Sequence, residues 1–243
     1  MIGVKIMIDF HSHILPGIDD GSQTVNETVE MLRMEKQQGC VKVIATPHFY
    51  ADYDSAGRFL DKRAEALHKV QALREQEDWM PEIQAGAEVY FFSGIGRADI
   101  LPRLCVEGTS LLLLEMPFAQ WTRDMAREVQ DIIKKQGLDV ILAHVERFYE
   151  FQKDKKVWNE ILEMPLTLQI NAGAMRDRKK RNCIFRLLKE GYPVIMGSDC
   201  HNTSTRPPNL ETGRETLQKK FGDSVLEKID GLGEQVLRIH EKR

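Results

Sequence analysis

Short apolar runs recur along the chain, and each gives way to a polar residue. They cover residues 6–10 before His11, 41–45 before His48, 83–87 before Glu88, 111–114 before Glu115, 140–143 before His144, 168–170 before Asn171 and 194–197 before Asp199. None alternates strictly between apolar and polar, so they read as strands covered on both faces, as in a parallel sheet. Between them lie stretches with helical spacing. Residues 22–38 carry Val25, Val29 and Leu32 on one face and stop at Gly39. Residues 55–78 carry Phe59, Leu60, Ala66, Leu67, Val70 and Leu73 and end before Pro81. Two more, 121–136 and 178–190, stop at Gly137 and Gly191, and helices over 211–220 and about 223–240 close the chain. A glycine just past a helix supplies the left-handed cap that other residues resist. Strands alternating with helices predict a parallel α/β sheet. Seven such units fit a closed or nearly closed barrel and leave an open doubly wound sheet as the alternative.

Composition narrows the class. Hydrophobic residues make up 42% of the 243 and charged residues 29%, the balance of a chain with a sizeable core. No composition shift, linker or repeat divides it, so residues 1–243 read as one domain. The net charge of -3 argues against a nucleic-acid binder. No run approaches the ~20 apolar residues of a membrane span, and the N-terminus lacks a secretory apolar stretch. Cys40, Cys105, Cys183 and Cys200 are widely spaced and form no C-x-x-C pair. Reduced thiols in a cytoplasmic protein are expected.

The polar residues that end the runs carry the chemistry. Active sites of parallel α/β folds lie at the carboxyl ends of strands. This chain puts His11, His13, His48, Glu88, Glu115, His144, Asp199 and His201 there, and with them five of its seven histidines. The other two, His68 and His240, fall on predicted helices and read as fillers. A single strand-end histidine is ordinarily a hydrogen-bonded core residue. So many ionisable groups on one face would be mutually costly without compensating positive charge. Metal ions supply that charge, and a His/Asp/Glu mix suits Mn, Fe or Zn. His11-Ser12-His13 puts two imidazoles on one side of a strand end, and Asp199-Cys200-His201 repeats the spacing at the last strand.

Asp9-Phe10-His11-Ser12-His13, followed by Gly17-Ile18-Asp19-Asp20-Gly21, resembles the opening motif of the PHP (polymerase and histidinol phosphatase) superfamily. More closely it is similar to the CpsB/CapC-type bacterial protein tyrosine phosphatases of capsule and exopolysaccharide systems. The resemblance continues through Ala45-Thr46-Pro47-His48, Gly86-Ala87-Glu88-Val89-Tyr90, Leu114-Glu115-Met116, Ala143-His144-Val145-Glu146-Arg147-Phe148 and Ser198-Asp199-Cys200-His201-Asn202 to Arg206-Pro207-Pro208. It implies a distorted (β/α)7 TIM-like PHP barrel with three divalent metal ions, Mn in the first place with Fe or Zn as alternatives. One would be held by His11, His13, Glu88 and Asp199. A second would share Glu88 with Glu115 and His144, and a third would take Asp20, His48 and His201. The family's usual start fits Met7-Ile8-Asp9, so residues 1–6 read as an extension or a start-site difference. Arg147 and Arg206, three and five residues after His144 and His201, are the candidate guanidinium partners of a phosphate. The implied substrate is a phosphotyrosine protein, the tyrosine-rich tail of a bacterial tyrosine kinase that controls polysaccharide export. The enzyme would be cytoplasmic, with a membrane-associated partner but no membrane insertion of its own.

Three other readings compete. Cys200 to Arg206 matches C-x5-R, the bare pattern of cysteine-based tyrosine phosphatases. Its loop has no glycine, however, and Asp199 and His201 already belong to the metal motif. A small-molecule phosphatase of the same superfamily, acting on a compound such as histidinol phosphate, would keep the fold and metals and change only the pocket. A non-catalytic scaffold would not need an open polynuclear site.

Overall fold

The computed structural model describes residues 6–75 and 77–238. The expected N-terminal extension lies outside them except for Ile6, as do His240 and the end of the last predicted helix.

Among the described residues nine strand segments form: β1 Met7–Ser12, β2 Cys40–Ala45, β3 His48–Phe49, β4 Glu82–Ala85, β5 Glu88–Tyr90, β6 Leu111–Glu115, β7 Asp139–Leu142, β8 Thr167–Asn171 and β9 Val194–Gly197. All their pairings are parallel. One sheet has the order β1-β2-β4 and the other β3-β5-β6-β7-β8-β9. Every one of the seven predicted runs overlaps a strand. Nine segments arise because pairing resumes at His48 and Glu88, after breaks at Thr46-Pro47, just past the second run, and at Gly86-Ala87, inside the end of the third. Proline has no N–H to give the ladder. Thr46 instead donates its N–H to Ser12 O at 2.8 Å, Gly86 donates to Ala45 O at 2.7 Å, and Glu88 donates to Pro47 O at 3.0 Å. The chain thereby steps from one sheet into the other. Glu88 thus opens a strand instead of following one, and its register partner is His48. The interruption sets two site residues side by side.

The ladders do not join into one closed barrel. β1 and β9 meet at their ends through a parallel bridge between Ser12 and Cys200. Asp199 N donates to His11 O at 2.8 Å and His13 N to Cys200 O at 2.9 Å. Alternate strand positions, Ile8 and Phe10, Leu111 and Leu113, Ile141 and Ala143, and Ile195, form one buried cluster with Val236 and Leu237. The opposite strand faces, with Leu112, Leu114, Val140, Leu142, Leu168 and Ile170, belong to a larger cluster shared with the helices.

The helices are α1 Val25–Gln37, α2 Ala56–Arg74, α3 Leu101–Leu104, α4 Arg123–Lys134, α5 Lys156–Leu162, α6 Arg178–Glu190, α7 Leu210–Phe221 and α8 Asp223–Arg238. Apolar spacing alone starts three of them early. Thr24, Ser55 and Thr122 are extended N-caps whose side chains accept N–H groups of the first turn, so each helix begins just after its cap. α6 starts and stops where the pattern predicts, with Asp177 as N-cap and Gly191 at φ 82 as C-cap. α3 and α5, of 4 and 7 residues, are too short to show a period; α5 forms because Trp158 stacks on Trp121 with centroids 5.3 Å apart. Among the described residues no helix is long and apolar enough to cross a membrane.

Candidate metal centre

All nine sequence-predicted ligands meet at the carboxyl ends of the strands. His11 lies at the end of β1 and His13 just past it, His48 and Glu88 open β3 and β5, Glu115 ends β6, His144 follows β7, and Asp199 and His201 follow β9. Asp20, which only the family motif suggested, comes from the loop before α1. Glu88 lies at the centre. Its Oε2 is 3.2 Å from His11 Nε2, 3.4 Å from His13 Nε2 and 2.8 Å from His48 Nδ1, and its Oε1 is 2.8 Å from His144 Nε2. Glu115 Oε1 is 3.3 Å from the same His144 nitrogen. Asp199 Oδ1 lies 3.7, 3.6 and 3.6 Å from His11, His13 and His201, and Asp20 Oδ1 lies 3.5 and 3.4 Å from His48 and His201.

Residues the motif reading did not single out orient these ligands. Asp19 Oδ2 accepts from His13 Nδ1 at 2.7 Å and from His48 N at 2.9 Å. Gln169 Oε1 accepts from His11 Nδ1 at 3.0 Å and from His144 N at 2.7 Å. Asn171 Nδ2 donates to Asp199 Oδ2 at 2.7 Å, and His201 Nδ1 donates to Asp199 O at 3.0 Å. With Nδ1 donating in His11, His13 and His201, each Nε2 keeps its lone pair, the arrangement of metal-ligating imidazoles. Gln169 had a signal in the sequence: it is the polar residue inside an apolar run. Asp19 had only its place beside Asp20.

The donor set fits divalent cations. His144 Nδ1 and His201 Nε2 are buried without a hydrogen-bond partner, and His48 Nδ1 and Glu88 Oε2, 2.8 Å apart, are buried without a well-aligned one. Two ring nitrogens, those of His11 and His13, face each other at 3.2 Å. Unpartnered buried polar atoms are costly, and an acceptor cluster is what a cation satisfies. His13, Asp20, His48 and His201 can bring one ligand atom each within 4.8 Å of the others; so can His11, His13 and Glu88, and so can His48, Glu88 and Glu115. His13 therefore stands within reach of two of the expected groups, not one.

Electrostatics follow the same geometry. Burial alone would raise the Glu88 carboxyl, but the imidazoles of His11, His13 and His144 hold it well below the usual range. Asp199 is likewise raised by burial but brought down to about 2, chiefly by His11 and His13. Burial depresses His144, yet hydrogen bonds to Glu115 and Glu88 lift it to about 9. His201, buried and beside His13, drops to about 4. The carboxylates thus draw positive charge into the centre. His144 and Asp199 are also the two non-glycine residues with positive φ among those described, at 26° and 54°. Such backbone is held only where its surroundings over-determine it, and it concentrates at functional sites.

Both candidate arginines face this centre. Arg206 Nη2 is 2.8 Å from Asp199 Oδ1 and its Nη1 3.6 Å from Asp20 Oδ2. Arg147 Nη1 is 3.6 Å from Asp199 Oδ2, with its guanidinium 4.8 Å from the ring centre of Phe118. Both line a cavity of about 440 Å³ with Asn171, Ser198 and Asp199. Cys200 does not face it. The residue is wholly buried, and burial together with Glu35 and Asp9 pushes its thiol well above the usual range.

Comparison with known proteins gives concordant results. The family model for capsular polysaccharide synthesis proteins CpsB/CapC matches residues 7–233. The chain is 27% identical to the tyrosine-protein phosphatase YwqE of Bacillus subtilis, covering 96% of this chain and 92% of that protein. It is 25% identical to the tyrosine-protein phosphatase CpsB of Streptococcus pneumoniae, covering 89% and 91%. A solved structure from work on these two proteins, described as unique metal-dependent tyrosine phosphatases, superposes with a TM-score of 0.84 at 26% identity, over 96% of this chain and 94% of that one. A lactonase of Listeria monocytogenes, at TM-score 0.58 and 10% identity over 93% and 92%, shares the fold alone.

Proposed function

The chain belongs to the CpsB/CapC family, and from that premise we propose that it is a metal-dependent phosphatase of phosphotyrosine in proteins. The observation that carries the reading is the convergence of nine His, Asp and Glu side chains around Glu88 beside two arginines. His11, His13, Glu88 and Asp199 would hold one divalent cation, Glu88, Glu115 and His144 a second, and Asp20, His48 and His201 a third, with Mn ahead of Fe and Zn. Bound there, such cations supply Lewis-acid charge that offsets the phosphoryl oxygens and brings a water nucleophile's pKa near neutrality.

The chain's own residues do the rest. Arg147 and Arg206 stand on the cavity walls, where their planar forks match phosphoryl oxygens. Asp199 holds both guanidinium groups in place. Phe118, 37% exposed, covers Arg147 on one side and stacks toward His144 at 6.1 Å between centroids. It offers an apolar face next to the phosphate position, which suits the ring of a phosphotyrosine better than a small polar phosphate ester. Asp19 and Gln169 fix the imidazoles so that the donors keep their aim.

The scaffold reading is a distorted (β/α)7 TIM-like barrel, supported by the seven runs, the Ser12–Cys200 bridge and the shared inner cluster. The family's part in capsular polysaccharide synthesis makes the tail of a bacterial tyrosine kinase the substrate of choice and the cytoplasm the place of action. The test is a comparison of kcat/KM on a phosphotyrosyl peptide and on histidinol phosphate. The peptide is expected to be the better substrate; a preference for histidinol phosphate would replace this reading with that of a small-molecule phosphatase.

A further inference from the structure

We propose that a basic rim at the start of α6 binds carboxylate side chains that flank the phosphotyrosine of the polypeptide substrate. The proposal rests on the phosphotyrosine reading above and adds a sequence preference to it.

The chain carries a net charge of -3, yet residues 176–181 hold five cations, Arg176, Arg178, Lys179, Lys180 and Arg181, against one acid. That acid is not available to them, because Asp177 accepts the backbone N–H groups of Lys179 at 2.8 Å and Lys180 at 3.0 Å as the N-cap. Arg181 donates to Met175 O at 2.9 Å. Among the described residues the side chains of Arg176, Arg178, Lys179 and Lys180 form no ion pair. Other surface cations do: Lys69 pairs with Glu65 and Lys135 with Asp131, at 2.8 and 2.7 Å. Cations in a first helical turn also oppose the helix dipole, which favours acids there. Stability therefore gives no reason for this cluster.

Position gives one. Arg176 and Lys180 line the same cavity as Arg147, Arg206, Asn171 and Asp199, so the rim is continuous with the phosphate position. The other side of the centre differs. There a cavity of about 460 Å³ is lined by Asp19, Asp20 and Asp54, and its cations Arg58 and Lys62 both pair with Asp54. The mouth is thus uncompensated and positive toward α6 and balanced across from it. A phosphotyrosine entering between them lays its neighbouring residues over this gradient, and charge complementarity places acidic ones on α6.

The test uses the double variant Arg176→Gln with Lys180→Gln, which keeps the Asp177 cap and removes the rim charge without adding acids to the phosphate cavity, so the helix is retained. Steady-state kinetics are measured on p-nitrophenyl phosphate, on a phosphotyrosyl peptide with Asp and Glu neighbours, and on the same peptide with Asn and Gln neighbours. The wild-type protein should prefer the acidic peptide by about tenfold in kcat/KM at low salt. The preference should shrink at high salt, where charges beyond ~3 Å are screened. The variant should lose it while handling p-nitrophenyl phosphate and the neutral peptide as before. Equal use of both peptides by the wild type, or a preference that survives in the variant, would overturn the proposal. So would a variant with unchanged peptide kinetics that no longer binds phosphatidylserine vesicles, which would give the rim to a membrane. Turnover of p-nitrophenyl phosphate with neither peptide accepted would instead remove the phosphotyrosine reading itself.

Discussion

Glu88 is the residue on which the centre turns. It is wholly buried, yet four imidazoles approach its two oxygens within 3.4 Å. A carboxylate can give one oxygen to each of two cations, whereas an amide gives one neutral oxygen and a competing NH2. Glu88→Gln should therefore lower bound metal as well as turnover, and elemental analysis of the purified variant reads the metal directly; an unchanged metal content would show that Glu88 is not a ligand. The arginines act differently. A fixed guanidinium aimed at a transferring phosphoryl group favours the transition state over the ground state. Losing one such donor typically costs ~10²–10³ in kcat. Arg147→Ala should show that loss with its metal intact, because among the described residues its one ion pair with a proposed ligand is the 3.6 Å approach to Asp199. Arg206→Ala should add a rise in KM, since Arg206 reaches both Asp199 and Asp20. Near wild-type kinetics in both variants would make them surface residues. At this scale the sequence spoke clearly where a residue ended an apolar run, as for His11, Glu115 or His144. Asn171 also ends a run, but its part in holding Asp199 rests on a side-chain hydrogen bond that no periodicity records, and of Asp19 the apolar pattern says nothing.

Among the elements, β9 shows how strictly the backbone serves the centre. A Cβ at Gly197 would lie 2.6 Å from His11 Cβ and 2.8 Å from Gln169 Nε2. The first is a rigid position next to backbone, and Gln169 is pinned between His11 and His144. Gly197→Ala should accordingly shift β1 against β9, with a stability loss of about 1–3 kcal/mol, as overpacking usually costs, and weakened metal retention. Thermal unfolding and metal analysis of the variant measure the two effects; full metal content and an unchanged melting temperature would show that the strands can move apart freely. The elements also show what apolar pattern leaves out. Helix ends were legible where glycine follows, and starts were misplaced by up to three residues where Thr24 or Thr122 caps the helix from outside it. The breaks at Thr46-Pro47, just past one apolar run, and at Gly86-Ala87, inside the end of the next, came from local backbone chemistry. They convert two expected strands into four segments and bring His48 next to Glu88.

For the molecule as a whole, alternation of buried strands with amphipathic helices was enough to foresee a parallel α/β architecture, because each element buries one kind of surface with one period. How the sheets meet was not foreseeable, since it rests on a few hydrogen bonds between the ends of β1 and β9. The central claim is that metal, not thiol, carries the chemistry. The C-x5-R pattern that suggests a thiol places Cys200 in the core, with its acidity suppressed by burial and by Glu35 and Asp9, whereas a nucleophilic thiolate needs an electropositive, accessible setting. Hydrolysis of a phosphotyrosyl peptide should be measured for the wild-type protein and for Cys200→Ser, each as purified, after exhaustive chelation, and after return of Mn. Both proteins should be active as purified, lose activity on chelation and regain it with Mn. A wild-type enzyme that stays active without metal, or a fully metallated Cys200→Ser protein that is inactive, would contradict the account.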